Sequence, residues 1–202
     1  RIGSTFEMFE ESIYDVDLWV KKAKDLGYKK IILLGHSLGC NKVIYYLSEK
    51  GNVVDGVILA SPPDMVGLTL IEEPNYEELV REAKENIEQG NPNGIMKNLL
   101  GEWCYVSSEN FMNFYIEGNN IDNLPVERNP EHFEELEKIN VPILAFSGAN
   151  EVPTYLKLDV VKSKALSCPD FETQIIEGSG HTYKKCEEKT ANMILEWIIN
   201  KF

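Results

Sequence analysis

Apolar positions along the chain change period several times, and each change marks a predicted element. Over residues 4–26, Phe6, Phe9, Ile13, Val16, Val20 and Ala23 recur at helical spacing. Ser4 followed by Glu7 has the form of a capping box, and Gly27 is a natural stop, so the pattern predicts one long amphipathic helix. The next run, Lys30-Ile31-Ile32-Leu33-Leu34, is apolar at both alternating positions, as in a parallel strand covered by helices on both sides. A helix follows from about Leu38 to Lys50, closed by Gly51. The alternation then repeats. Val57–Ala60 predicts a second strand, ended by Ser61-Pro62-Pro63. Val141–Phe146 predicts a third and Thr173–Ile176 a fourth. A last helix, 187–201, gathers Ala191, Ile194, Leu195, Trp197 and Ile198 on one face. This order defines an α/β fold with a parallel sheet and helices on both faces.

Between the second and third strands lie about 75 residues, far more than a crossover requires. They hold a charged helical pattern near 75–89, an aromatic-rich stretch with Trp103, Tyr105, Phe111, Phe114 and Tyr115, and an acidic helical pattern near 130–138. With no flexible linker on either side, residues 64–139 are expected to form an inserted helical cap on a core made of 1–63 and 140–202.

Composition narrows the functional classes. The chain has 202 residues, 43% of them hydrophobic, which suits one domain with a sizeable core. Lys and Arg number 20 against 33 Asp and Glu, a net charge of -13 that argues against nucleic acid and for a small or neutral ligand. No apolar run approaches the roughly 18 residues of a membrane span. Cys40, Cys104, Cys168 and Cys186 are scattered without a CxxC or metal-type spacing, so reduced thiols, a cytoplasmic location and no metal are expected.

The candidate chemistry starts at Gly35-His36-Ser37-Leu38-Gly39, a G-x-S-x-G string between a predicted strand and a predicted helix. A strand reversing directly into a helix forces its corner residue into a strained backbone. Gly35 and Gly39 would remove colliding side chains, and the small Cys40 would keep the helix close to the sheet. Ser37 would then stand at the positive end of a helix, with the Leu38 amide directed at a developing oxyanion. A phosphate loop is the competing reading, but neither GxxxxGK[ST] nor GxGxxG is present.

A serine hydroxyl needs a base within hydrogen-bond reach. His36 adjoins the serine and is expected to pack. His132 sits in an acidic segment expected to be a solvated face. His181, in Gly178-Ser179-Gly180-His181-Thr182, follows the fourth strand, where functional groups of parallel sheets gather. Glu151 is the one carboxylate in the turn Ser147–Pro153 after the third strand, with Asp159 and Asp170 as rivals for the acid.

The elbow, the strand-turn-Glu, the Ser-Gly-His loop and the insertion after the second strand together resemble the carboxyl-terminal two-thirds of a serine α/β-hydrolase. Tyr14–Trp19 with Gly27–Lys30 also resemble bacterial relatives of fungal siderophore esterases. The first resemblance implies an order of serine, acid, histidine, with Glu where Asp is commoner. It implies hydrolysis of an ester or related acyl substrate through an acyl-enzyme, with no cofactor. A thioesterase, amidase, peptidase or acyltransferase would use the same three residues, whereas a dehalogenase would carry aspartate at the elbow. The aromatics Trp103, Tyr105, Phe111 and Phe114 would line an acyl pocket or form the insertion's own small core. A non-catalytic binding protein on the same fold is the alternative.

The resemblance also implies further strands and an HG-type loop with a second oxyanion donor, but only 29 helical-looking residues precede the first strand. With Arg1 at the start, the expectation is a fragment of a longer hydrolase. Otherwise a second chain, a homo-oligomer included, would cover the exposed edge strand.

Overall fold

The computed structural model describes residues 4–101, 104–129 and 131–202. The elements are α1 (Ser12–Asp25), β1 (Ile32–His36), α2 (Leu38–Lys50), β2 (Gly56–Ala60), α3 (Met65–Glu72), α4 (Tyr76–Glu88), α5 (Ser108–Phe114), α6 (Glu134–Glu137), β3 (Ile143–Gly148), α7 (Leu158–Lys164), β4 (Phe171–Ile176) and α8 (Glu187–Lys201). The four strands form one parallel sheet in the order β1-β2-β3-β4.

Alternation along the strands explains the two covered faces. Val57, Leu59, Ile143 and Ala145 point into the larger core with residues of α2 and α7, while Ile58, Ala60, Leu144 and Phe146 point at Trp197 of α8. β2 and β3 are buried throughout. β1 departs from the expected two-sided burial: Leu34 is 48% exposed, because among the described residues β1 pairs with β2 alone. Tyr14, Leu18 and Trp19 of α1 are exposed as well.

The first helix starts later than its apolar period predicts. Residues 4–6 form a turn, Phe9–Glu11 a 3-10 turn, and α1 begins only at Ser12. Tertiary contacts override the capping box. Glu7 pairs with Lys42, the Thr5 carbonyl accepts from the Ser107 amide, and Phe9 is fully buried against Tyr45 and Phe114. The acidic helix expected over 130–138 shrinks to Glu134–Glu137, residue 130 lying outside the described residues.

The segment between β2 and β3 packs in two parts. Leu79, Ala83, Met96, Leu100, Val106 and Phe111 form a cluster of their own. Leu124, Val126, Phe133, Leu136 and Ile139 instead join the main core, because the chain returns to β3 along α2. Independent packing therefore ends short of the expected boundary at 139.

An ionic network anchors this segment where β2 ends. Asp64, its side chain fully buried, caps α3 through the Gly67 amide at 2.7 Å and accepts from Arg128 at 2.8 Å. Arg128 also pairs with Asp122, whose side chain is nearly buried. Removing the cation would leave two buried carboxylates unpaired. Arg128→Met is expected to cost about 3–5 kcal/mol, read as a lowered urea midpoint at neutral pH.

Candidate active site

Ser37 is the residue between β1 and α2, with φ 56° and ψ -129°. Such a backbone costs on the order of 1–3 kcal/mol for a non-glycine residue, so surrounding contacts must impose it. They are visible. The Ser37 amide donates to the Ala60 carbonyl at 2.9 Å, and the Ser37 carbonyl accepts from the Cys40 amide at 2.8 Å. A Cβ at Gly35 would lie 2.4 Å from the Gly39 carbonyl oxygen and 2.7 Å from the Cys40 nitrogen, so only glycine lets α2 start this close to β1. Cys40 is fully buried, and its thiol donates to the Gly35 and Ala60 carbonyls at 3.3 Å each. Gly39 departs from the expectation: a Cβ there would meet nothing within 4 Å, because it projects away from the strand. The Leu38 amide is the first of α2 and has no acceptor within the helix.

Glu151 follows β3 and His181 follows β4. His181 Nδ1 lies 2.7 Å from Glu151 Oε2. Facing a carboxylate, Nδ1 must carry the proton, which leaves Nε2 its lone pair. The Glu151 side chain is 1% exposed. Burial works to raise its pKa, but hydrogen bonds from His181, Ser61 and the Gly148 amide outweigh it and hold the carboxyl below its ordinary value. The two loops are in close contact, since a Cβ at Gly148 would fall 2.6 Å from the Ser179 carbonyl oxygen. The rival Asp170 pairs with Lys201, and Asp159 lies in the first turn of α7. His132 is half exposed beside Glu134.

His36 is exposed, and its ring packs 4.8 Å from that of His181. Its Nε2 donates to the His181 carbonyl at 2.8 Å, tying the histidine loop to the residue before Ser37. No direct hydrogen bond joins Ser37 to His181. Tyr155 lines the cavity beside Ser37, and its ring lies 4.8 Å from the His181 ring. Burial pushes the Tyr155 phenol up to about 12, with Ser37 offsetting part of the rise, so it stays protonated at neutral pH.

A cavity of about 210 Å³ opens at Ser37, walled by Met65, Leu68, Leu100, Tyr115 and Tyr155, with Glu72 also on its surface. Of the two roles expected for the aromatics, filling a core fits Phe111 and Phe114. Phe111 is fully buried in the insertion's own cluster, and Phe114 is buried against Phe9 and Ile121. Tyr105 is half exposed and lies outside the cavity wall, and Trp103 lies outside the described residues. Tyr155, Ser61 and Tyr183 have no sequence signal of their own. Only their places at strand ends, beside the candidate residues, point to them.

The parallel sheet, the serine at the strand-helix corner and the loops after β3 and β4 are those of the α/β-hydrolase fold. Within it, the chain belongs to the family described as "Protein of unknown function (DUF1749)", which matches residues 10–202. Similar solved structures include Est1E from Butyrivibrio proteoclasticus (17% identity, TM-score 0.61, 96% of this chain and 71% of that one). A thermostable carboxyl esterase from Bacillus coagulans is 15% identical, with TM-score 0.65 over 96% of this chain and 73% of the other. The α/β hydrolase GrgF from Penicillium sp. sh18 is 13% identical, with TM-score 0.67 over 98% and 73%. No curated protein matches the chain in sequence. No helix among the described residues is long and apolar enough to cross a membrane.

Two measurements check the local physics. Gly35→Ala should lose at least about 1–3 kcal/mol of stability through backbone collision, while Gly39→Ala should be neutral or gain up to about 1 kcal/mol. Glu151 has a lowered folded pKa, so its carboxylate contributes stability above its unfolded pKa, and that contribution is lost as pH falls through the folded value. The stability gap between the wild type and Glu151→Gln should therefore narrow as pH drops below 4.5, read by urea titration across pH.

Proposed function

We propose that the protein is a serine hydrolase acting on a carboxylic ester or related acyl substrate. The observation that carries this reading is the Glu151–His181 pair at 2.7 Å, packed through His36 beside a strained serine at the head of a helix. Ser37 Oγ attacks the acyl carbonyl and gives its proton to His181 Nε2. Glu151 holds the imidazole tautomer and offsets its charge, and the Leu38 amide donates to the oxyanion. The imidazolium then protonates the leaving group. Water, activated by the same nitrogen, releases the acyl group. Before attack, the serine hydroxyl and Nε2 must close to hydrogen-bond distance, as catalytic hydrogen bonds tighten once substrate is bound.

The insertion's first part, 65–116, acts as the cap, since it supplies Met65, Leu68, Leu100 and Tyr115 to the cavity. A cavity of about 210 Å³ favours a small acyl group. A similar structure, Est1E, was solved with ferulic acid bound. No organic cofactor or metal takes part in this scheme, and the protein works as a cytoplasmic enzyme on small molecules.

The lack of a direct Ser37–His181 hydrogen bond favours a second reading, a binding protein that keeps the fold and cavity without turnover. A fluorophosphonate probe separates the two. Labelling at Ser37, lost in Ser37→Ala, with hydrolysis of p-nitrophenyl butyrate that drops about 10⁴-fold or more in His181→Asn, is expected of the hydrolase. An unlabelled, inactive wild type would leave the binding protein.

A further inference from the structure

The end of β2 carries a hydroxyl that the reaction scheme leaves unused. Ser61 directly follows β2, is fully buried and has φ 52°. Its amide donates to the Phe146 carbonyl at 2.7 Å, which fixes the residue against the end of β3. Its Oγ lies 2.7 Å from Glu151 Oε1 and within hydrogen-bond distance of the Tyr183 hydroxyl.

Proton counting gives this chain of hydroxyls a direction. An ionised Glu151 can only accept, so the single Ser61 proton goes to Oε1. Tyr183 must then donate to Ser61 Oγ, and its phenol, raised by burial, keeps that proton at neutral pH. Oε1 also accepts from the Gly148 amide at 2.6 Å, so it is doubly held while Oε2 is left to His181. Glutamate has one more rotatable bond than aspartate and needs more to fix it. Tyr183 lies two residues after His181, so the same hydroxyl joins the loops of the acid and the base.

We infer that Ser61, itself held by Tyr183, is a positioning residue that fixes the Glu151 carboxylate for His181. This inference rests on the hydrolase reading. Without Ser61, Oε1 would keep only the Gly148 donor. The carboxylate would become more basic and would attract the protonated imidazole more strongly. The acid limb of the pH–rate profile would therefore move upward. The other groups facing this pair are His36 at the end of β1, Cys40 on α2 and Tyr155 in the turn after β3. They are common to the wild type and both variants below, so they cancel in the comparison.

The test uses the full chain with p-nitrophenyl butyrate, active sites being counted with the fluorophosphonate. Ser61→Ala is expected to lower kcat about 10-fold at nearly constant KM. It should also move the acid limb of kcat/KM upward by about half a pH unit. Tyr183→Phe should move the limb the same way by less. A limb at the wild-type position in both variants overturns the inference. So does a loss of activity that only follows the folded fraction. If Ser61→Ala fails to fold, Tyr183→Phe decides alone, an unmoved limb again overturning it. A wild type that neither labels nor hydrolyses the ester defeats the hydrolase reading itself, a result distinct from either of these.

Discussion

A methyl group at position 35 has nowhere to go, and the geometry around Ser37 follows from that contact. The end of β1 and the first turn of α2 touch backbone to backbone at Gly35, Gly39 and Cys40. The chain can make that contact only by turning at a single residue, which throws Ser37 into the left-handed region. The same contact leaves the Leu38 amide at the open head of the helix and seals the Cys40 thiol between two carbonyls. The strain at Ser37 is offset by packing distributed over β1, α2 and β2 rather than by any one bond.

A second close approach, Gly148 against Ser179, does for Glu151 and His181 what Gly35 does for Ser37. It lets the turns after β3 and β4 meet, so a glutamate from one reaches a histidine from the other. The sheet thus places Ser37, Ser61, Glu151 and His181 at four neighbouring strand ends, all pointing the same way because all four strands are parallel. The insertion is fixed to this frame at Asp64 and Arg128, next to the end of β2, so α3 is presented to the cavity by a buried ionic anchor.

The fold was legible where burial is symmetrical. β2 and β3 are apolar on both faces, and α8 follows its predicted bounds. The positions of the serine corner, Glu151 and His181 at neighbouring strand ends were also readable, because each is marked by glycines. Legibility failed where long-range contacts outweigh local pattern. Residues 4–8 read as helix but serve Lys42 and the insertion. Phe111 and Phe114 could be read as substrate wall or as core, and burial makes them core. Composition alone cannot tell an aromatic that lines a cavity from one that fills a core, since both bury the same surface. Tyr155 and Ser61 escaped because a lone hydroxyl in a turn carries no periodicity.

The sealed thiol of Cys40 gives the elbow an internal reporter. Burial raises its pKa steeply, and no path from solvent reaches its sulfur while α2 rests on the strand end. Alkylation of this cysteine can proceed only through openings that lift the helix from β1. Its rate under native conditions therefore measures the free energy of that local opening, separately from global unfolding. The residue that packs α2 onto the end of β1 is in this sense a gauge of how firmly the corner is held.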